Sequence, residues 1–202
     1  VCYGATECAP IICYSDYKDF VPGSCGRAVV NMQVEIDSPD PENIPGEILA
    51  KGMNVMLGYY KNEEATRQTI DANGWYHTGD LGTKDAHGNI FIKGRSKNML
   101  LGANGQNIYP EEIEDRLNSM ALVNESVVIQ DGDKLVGLVH PDYDEAKSMG
   151  LSDKDLETIM EQNRNELNQT QPAYCKLSAI IIHKEEFEKT PKKSIKRYLY
   201  QK

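Results

Sequence analysis

The chain has 202 residues, 40% hydrophobic and 26% charged, with a formal net charge of −9 at neutral pH. That length allows one large domain or two small ones with a real core. The acidic balance argues against a general nucleic-acid binder, and no apolar run approaches the roughly 18 residues of a membrane span.

The five cysteines include no CxxC pair, so neither a disulfide framework nor a zinc site is indicated. With no charged-then-apolar leader, a reducing cytoplasm is the expected setting. The chain opens on Val1 in the middle of patterned sequence, which leads us to expect a piece of a longer protein.

In chain order, residues 26 to 92 read as β-rich. VVNMQVEI (29 to 36) partly alternates, PDPENIPGE (39 to 47) is a loop, and EILAKGMNVMLGYY (47 to 60) returns as strand or extended chain. EEATRQTI (63 to 70) is a short helix, closed by the turn DANG. Asn73-Gly74 and His87-Gly88-Asn89 are turn signals, because these residues tolerate positive φ. They bracket WYHTGDLGTKD and lead into the strand NIFIKG (89 to 94).

Beyond Arg95 the period changes. YPEEIEDRLNSM (109 to 120) predicts a helix: Pro110 suits the first turn, its glutamates favour the positive end, and Ile113, Leu117 and Met120 form one face. ESVVIQDGDKLVGLVH (125 to 140) is a hairpin across Asp131-Gly132. SDKDLETIMEQNRNELNQ opens on a Ser152-x-x-Asp155 cap and turns Leu156, Ile159, Met160 and Leu167 inward. YCKLSAIIIHK (174 to 184) reads as a buried strand. Residues 98 to 202 thus form an α+β unit, with the joint at residues 93 to 98. Six positive charges (Lys189, Lys192, Lys193, Lys196, Arg197 and Lys202) crowd the last fourteen residues. They either serve an anionic ligand or form a solvated tail.

Five stretches occur in order along the chain: YGATE (3 to 7), WYHTGD (75 to 80), KGRSKN (93 to 98), NGQNIYPEEIE (104 to 114) and TPKKSIKR (190 to 197). Together they resemble the adenylate-forming enzymes, which include acyl-CoA synthetases, adenylation domains of peptide synthetases, and luciferase. The wording is most similar to bacterial long-chain fatty-acid–CoA ligases. The resemblance implies an α+β fold: a β-rich, distorted barrel-like subdomain ending a large adenylating domain (residues 1 to 94), then a small mobile α+β domain (95 to 202) with a hinge near Lys97. It also implies that the phosphate loop and most of the acyl pocket lie upstream of Val1, so that residues 1 to 202 alone are expected to be inactive.

The same resemblance implies the site roles. Tyr3 would stack on adenine, Thr6 would bond the α-phosphate, and Glu7 would hold Mg²⁺, a hard cation that takes carboxylate oxygens and shares phosphates. Read without it, YGATE is a strand end followed by a loop. Asp80 would accept hydrogen bonds from vicinal ribose hydroxyls, as acidic residues do in dinucleotide sites; otherwise it is a turn residue. Arg95 would add a ribose or phosphate contact, its alternative being a surface arginine. Lys97 would be the hinge, absorbing a φ/ψ change between two half-reactions. Gly105 would let the backbone approach the pantetheine arm, although this loop is one residue longer than in many relatives.

At the tail the sequence departs from the family pattern Gly-Lys-Ile-x-Arg. Aligned on Ile195 and Arg197, the lysine position holds Ser194, flanked by Lys193 and Lys196. A positive charge aimed at charge developing in a dry site contributes about a hundredfold in rate, which a hydroxyl cannot supply. Lys193 shifts by one residue, Lys196 reaches in, or the first step is slow; Lys193 is our choice.

The implied reaction joins a fatty acid, ATP and coenzyme A, with Mg²⁺, into acyl-CoA, AMP and pyrophosphate. The alternatives are an acyl-AMP ligase loading an acyl carrier protein, a non-catalytic nucleotide- or acyl-binding regulatory module, and a β-rich interaction domain. No nucleic-acid partner is expected, and at most peripheral membrane contact through the basic tail.

Overall fold

The computed structural model describes residues 1–102 and 104–201, which form two compact units, Val1–Lys97 and Asn98–Lys202. In the first, β1 (Cys2–Gly4), β2 (Ile11–Tyr14) and β3 (Arg27–Ala28) make an antiparallel sheet in that order. A second antiparallel sheet takes β4 (Met32–Asp37), β5 (Gly46–Gly52), β6 (Tyr76–Lys84) and β7 (Ile90–Arg95) in sequence order, with α1 (Glu63–Thr69) inserted before β6.

β4 follows the period of two: Met32, Val34 and Ile36 are buried and the residues between them exposed. These side chains join Ile12, Ile48, Ala50, Tyr76, Ile90 and the thiols of Cys8, Cys13 and Cys25 in one core. Both sheets are open, and among the described residues no strand closes them into a barrel. The expected β-rich subdomain is present with open sheets, the larger one a simple meander with β4 and β7 at its ends.

The two turns around β6 are held by aspartates. Asp71 Oδ1 accepts the amides of Asn73 and Trp75, and Asp85 Oδ1 those of His87 and Asn89. Gly74 and Gly88 supply the positive φ inside them.

In the second unit β8 (Leu100–Leu101) and β9 (Asn107–Ile108) form a small hairpin. Next comes α2 (Pro110–Leu117), which has Pro110 in its first turn. β10 (Val123–Asp131) and β11 (Lys134–Pro141) make the expected hairpin. The chain then crosses through α3 (Tyr143–Ser148) and α4 (Asp153–Thr170) to β12 (Leu177–Ile182), which pairs parallel with β11. The Ser152–Asp155 capping box is present at the start of α4.

α2 and α4 cover one face of this sheet through Ile113, Leu117, Leu156, Met160 and Leu167 against Val128, Val139 and Leu177. On the other face Phe187, Ile195 and Tyr200 pack over Val127, Ile129 and Val136. Phe187, Ile195 and Tyr200 thus anchor this segment with hydrophobic burial that a solvated tail lacks. β12 differs from its reading as a buried strand. It is the edge of the sheet among the described residues, and Ile181 is 52% exposed. Among the described residues no helix is long and apolar enough to cross a membrane.

Candidate active site

β6 alternates inward Tyr76, Thr78 and Asp80 with half-buried neighbours. Thr78 Oγ1 donates to the Ile48 carbonyl at 2.7 Å and accepts the Asp80 amide at 3.0 Å. Gly79, at φ +70°, donates its amide to Glu47 Oε1 at 2.9 Å, and the other oxygen of Glu47 meets His77 Nδ1 at 2.8 Å. Glycine adopts that φ without strain. These bonds fix the backbone on both sides of Asp80.

Asp80 is 8% exposed and both its carboxylate oxygens are engaged. Arg95, its register partner on β7, brings Nε to 2.7 Å from Oδ1, and Arg95 Nη1 donates to the Thr78 carbonyl at 3.2 Å. The Tyr3 hydroxyl donates to Oδ2 at 2.6 Å. Burial, and then the charge of Asp80, push the Tyr3 phenol well above its ordinary value. It therefore stays a donor, and Asp80, between the guanidinium and the phenol, is the acceptor. Three residues drawn from opposite ends of the unit's sequence thus form one acceptor site suited to hydroxyls.

Glu7 sits in the single 3₁₀ turn Thr6–Cys8 that follows β1. The Tyr59 hydroxyl donates to Glu7 Oε1 at 2.9 Å. The Glu7 carbonyl accepts the Met56 amide at 2.7 Å. Thr6 is exposed beside it. Among the described residues no group of three or more metal-ligating side chains gathers. A single carboxylate fits Mg²⁺, which keeps several waters and completes its shell with substrate phosphates. Tyr59, Tyr76, Thr78 and Glu47 were not singled out from the sequence. The Gly58-Tyr59 pair was legible only as the end of an extended segment.

Lys97 lies in the 3₁₀ turn Ser96–Asn98, at the last position of the first unit. In the second unit Gly105 has φ +74°, and a Cβ there would meet nothing within 4 Å. Its amide closes a turn on the Gly102 carbonyl at 2.8 Å. The adjacent Ala103 lies outside the described residues.

The lysines near the chain end divide by their partners. Lys189 pairs with Glu125 at 2.6 Å and Lys196 with Glu188 at 3.1 Å. Lys193 is exposed at the tip of a tight hairpin, at φ +62°, with its amide on the Thr190 carbonyl and Thr190 bonded back to Ser194. Arg197 turns inward to Glu114, whose Oε1 accepts the Val128 amide at 2.6 Å. Burial pushes the Glu114 carboxyl up, against the charge of Arg197, which holds it down. Arg197 is thus the anchor of this segment rather than part of an open cationic patch.

Comparison with known proteins assigns the chain. Residues 1–60 match the model for "AMP-binding enzyme" and residues 97–202 that for "AMP-binding enzyme C-terminal domain". A 2-succinylbenzoate–CoA ligase of Bacillus cytotoxicus is 41% identical over 68% of this chain and 29% of its own length. A long-chain-fatty-acid–CoA ligase of Escherichia coli is 42% identical over 56% of this chain and 21% of its own. The chain therefore spans less than a third of the curated relatives it matches. The crystal structure of the anthranilate CoA ligase AuaEII with anthranoyl-AMP superposes with a TM-score of 0.81 at 26% identity, covering 98% of this chain and 37% of that one. Two family models in the right order, and a shared fold along nearly the whole chain, lead to one conclusion: this chain belongs to the AMP-binding enzyme family.

Proposed function

We propose that this chain is the C-terminal part of an acid–thiol ligase, which first joins a carboxylic acid to ATP as an acyl-adenylate and then passes the acyl group to coenzyme A. The observation that carries the reading is the buried Asp80 carboxylate held by Tyr3 and Arg95. It is an acceptor with fixed orientation, as a ribose diol needs.

In the first half-reaction Tyr3 presents its ring to adenine, Asp80 accepts the ribose hydroxyls, and Thr6 donates to the α-phosphate. Arg95 holds Asp80 and adds a cationic edge. Glu7 would hold Mg²⁺, which supplies charge neutralisation at the phosphates when bound. Lys193, free of the carboxylates that hold Lys189 and Lys196, supplies positive charge to the acid and α-phosphate. For the thiol step the chain turns at Lys97 and the loop around Gly105 lines the path of the pantetheine arm. The five free thiols fit a reducing compartment, so the reading places the protein in the cytoplasm.

A long-chain fatty acid is our choice of substrate, supported by the similarity to the E. coli enzyme; the similarity to the succinylbenzoate enzyme supports an aryl acid. ATP–pyrophosphate exchange by the protein that carries this chain, offered palmitate and 2-succinylbenzoate in parallel, decides between them. Thioester assays with coenzyme A and with a holo-carrier protein then identify the acceptor. The absence of exchange with any acid would favour the second reading, a nucleotide-binding regulatory module. Its supporting observation is Ser194 where the family pattern has lysine.

A further inference from the structure

Tyr59 is an exposed aromatic at the end of a loop, yet the structure spends an entire helix on holding it. Its hydroxyl lies 2.9 Å from Glu7 Oε1 across 52 residues of sequence. Its amide donates to Thr66 Oγ1 at 2.9 Å, and that hydroxyl donates in turn to the Asn62 carbonyl at 2.9 Å. Asn62 caps α1 through the Ala65 amide at 3.0 Å. Gly58, just before Tyr59, has φ +150°, and a Cβ there would come within 2.8 Å of Thr66 Cγ2. So Gly58, Thr66 and the cap of α1 together set the direction of the Tyr59 side chain.

α1 has seven residues and buries none of them. A helix that short is marginal by itself and is normally retained for the apolar face it packs. This one is instead tied by polar bonds to the Tyr59 loop. Tyr60, next along, is 87% exposed.

The Glu7 backbone is fixed as well, through its carbonyl and the Met56 amide. Donors on a carboxylate hold its rotamer and leave it ionised, whereas an unheld glutamate loses side-chain entropy when a cation orders it.

We propose that Tyr59 is a positioning residue that pre-orients Glu7 as a magnesium ligand, so that the Gly58–Thr69 segment sets the strength of metal-coupled ATP binding. This rests on the reading of Glu7 as the metal ligand given above. Tyr59 acts through Glu7, whose carboxylate is the oxygen donor that suits a hard cation.

The test is calorimetric and needs no turnover. ATP affinity of the protein that carries this chain is measured with Mg²⁺ and again in EDTA, and the ratio is the metal-dependent gain. Tyr59→Phe is expected to lose about tenfold of that gain, as outer-shell partners of metal ligands do, with its affinity in EDTA unchanged and Tyr60→Phe equal to wild type. Thr66→Val should lose part of the same gain. If Tyr59→Phe keeps the full gain, or loses affinity equally in EDTA, the positioning role is wrong and Tyr59 is merely structural. Glu7→Gln distinguishes the levels: it should abolish the gain, and if it does not, the metal-ligand reading of Glu7 itself falls.

Discussion

The Tyr3 hydroxyl donates to Asp80 Oδ2 at 2.6 Å, although 77 residues separate the two in sequence. Removing it while keeping the ring, by Tyr3→Phe, takes one charge-assisted bond from a buried carboxylate, worth about 1.5–3 kcal/mol. ATP affinity should fall by roughly tenfold or more, read by calorimetry, while Tyr60→Phe leaves it unchanged. Unaltered affinity would remove Tyr3 and Asp80 from the nucleotide site.

The same pair gives a pH dependence. The folded-state pKa of Tyr3 is raised by burial and by Asp80. Its contribution to stability is therefore fully present below the ordinary tyrosine value near pH ~10 and is lost as pH rises through the folded value. Melting temperatures of wild type and Tyr3→Phe should converge at strongly alkaline pH. A constant gap across that range would contradict the assignment.

Arg197 and Glu114 form the buried ion pair that ties the chain end to α2 and β10. Arg197→Met leaves Glu114 buried without its counter-charge, which costs about 3–5 kcal/mol. Because burial already raises the Glu114 pKa, the variant's protonated form is the better tolerated one. The deficit, measured by urea unfolding, should shrink as pH is lowered through the carboxylate range and grow toward neutrality. An equal deficit at pH 4.5 and pH 7.5 would mean that packing, not charge, carries the effect.

Lys193 and Lys196 lie three residues apart and have different surroundings. Lys196 is bound to Glu188, and its amide to the Glu188 carbonyl, whereas Lys193 stands at a hairpin tip. Lys193→Ala should reduce pyrophosphate exchange about a hundredfold and leave conversion of pre-made acyl-adenylate to thioester intact. Lys196→Ala should change exchange little. The reverse result would transfer the adenylating charge to Lys196, and Ser194→Lys would then be expected to add nothing.

Leu117 is fully buried between α2 and the sheet of the second unit. Leu117→Ala should destabilise that unit by about 3 kcal/mol, read as a lower unfolding midpoint in urea. A change under about 1 kcal/mol would mean that the core relaxes into the space.

Local periodicity determined much of this chain directly. Met32, Val34 and Ile36 alternate because one face of β4 is buried. Leu156, Met160 and Leu167 recur on one side of α4, and Ser152 with Asp155 marks where it starts. These signals are legible because neighbours in sequence create them. The five ordered motifs likewise name Tyr3, Glu7, Asp80 and Arg95 together, through the family resemblance they carry.

What only the tertiary structure decided involves partners far apart in sequence. The parallel pairing of β12 with β11 runs through two helices, and no local pattern distinguishes an apolar edge strand from a buried one. Tyr59 read as the tail of an extended segment, since nothing in Gly-Tyr-Tyr discloses that its hydroxyl meets Glu7. The basic chain end read as either an anionic-ligand site or a solvated tail, because its charges are counted locally. Folding spends Arg197, Lys189 and Lys196 on Glu114, Glu125 and Glu188. Sequence spacing fixes which side chains share a face of one element; which carboxylate meets which hydroxyl or cation is fixed only when separate elements pack.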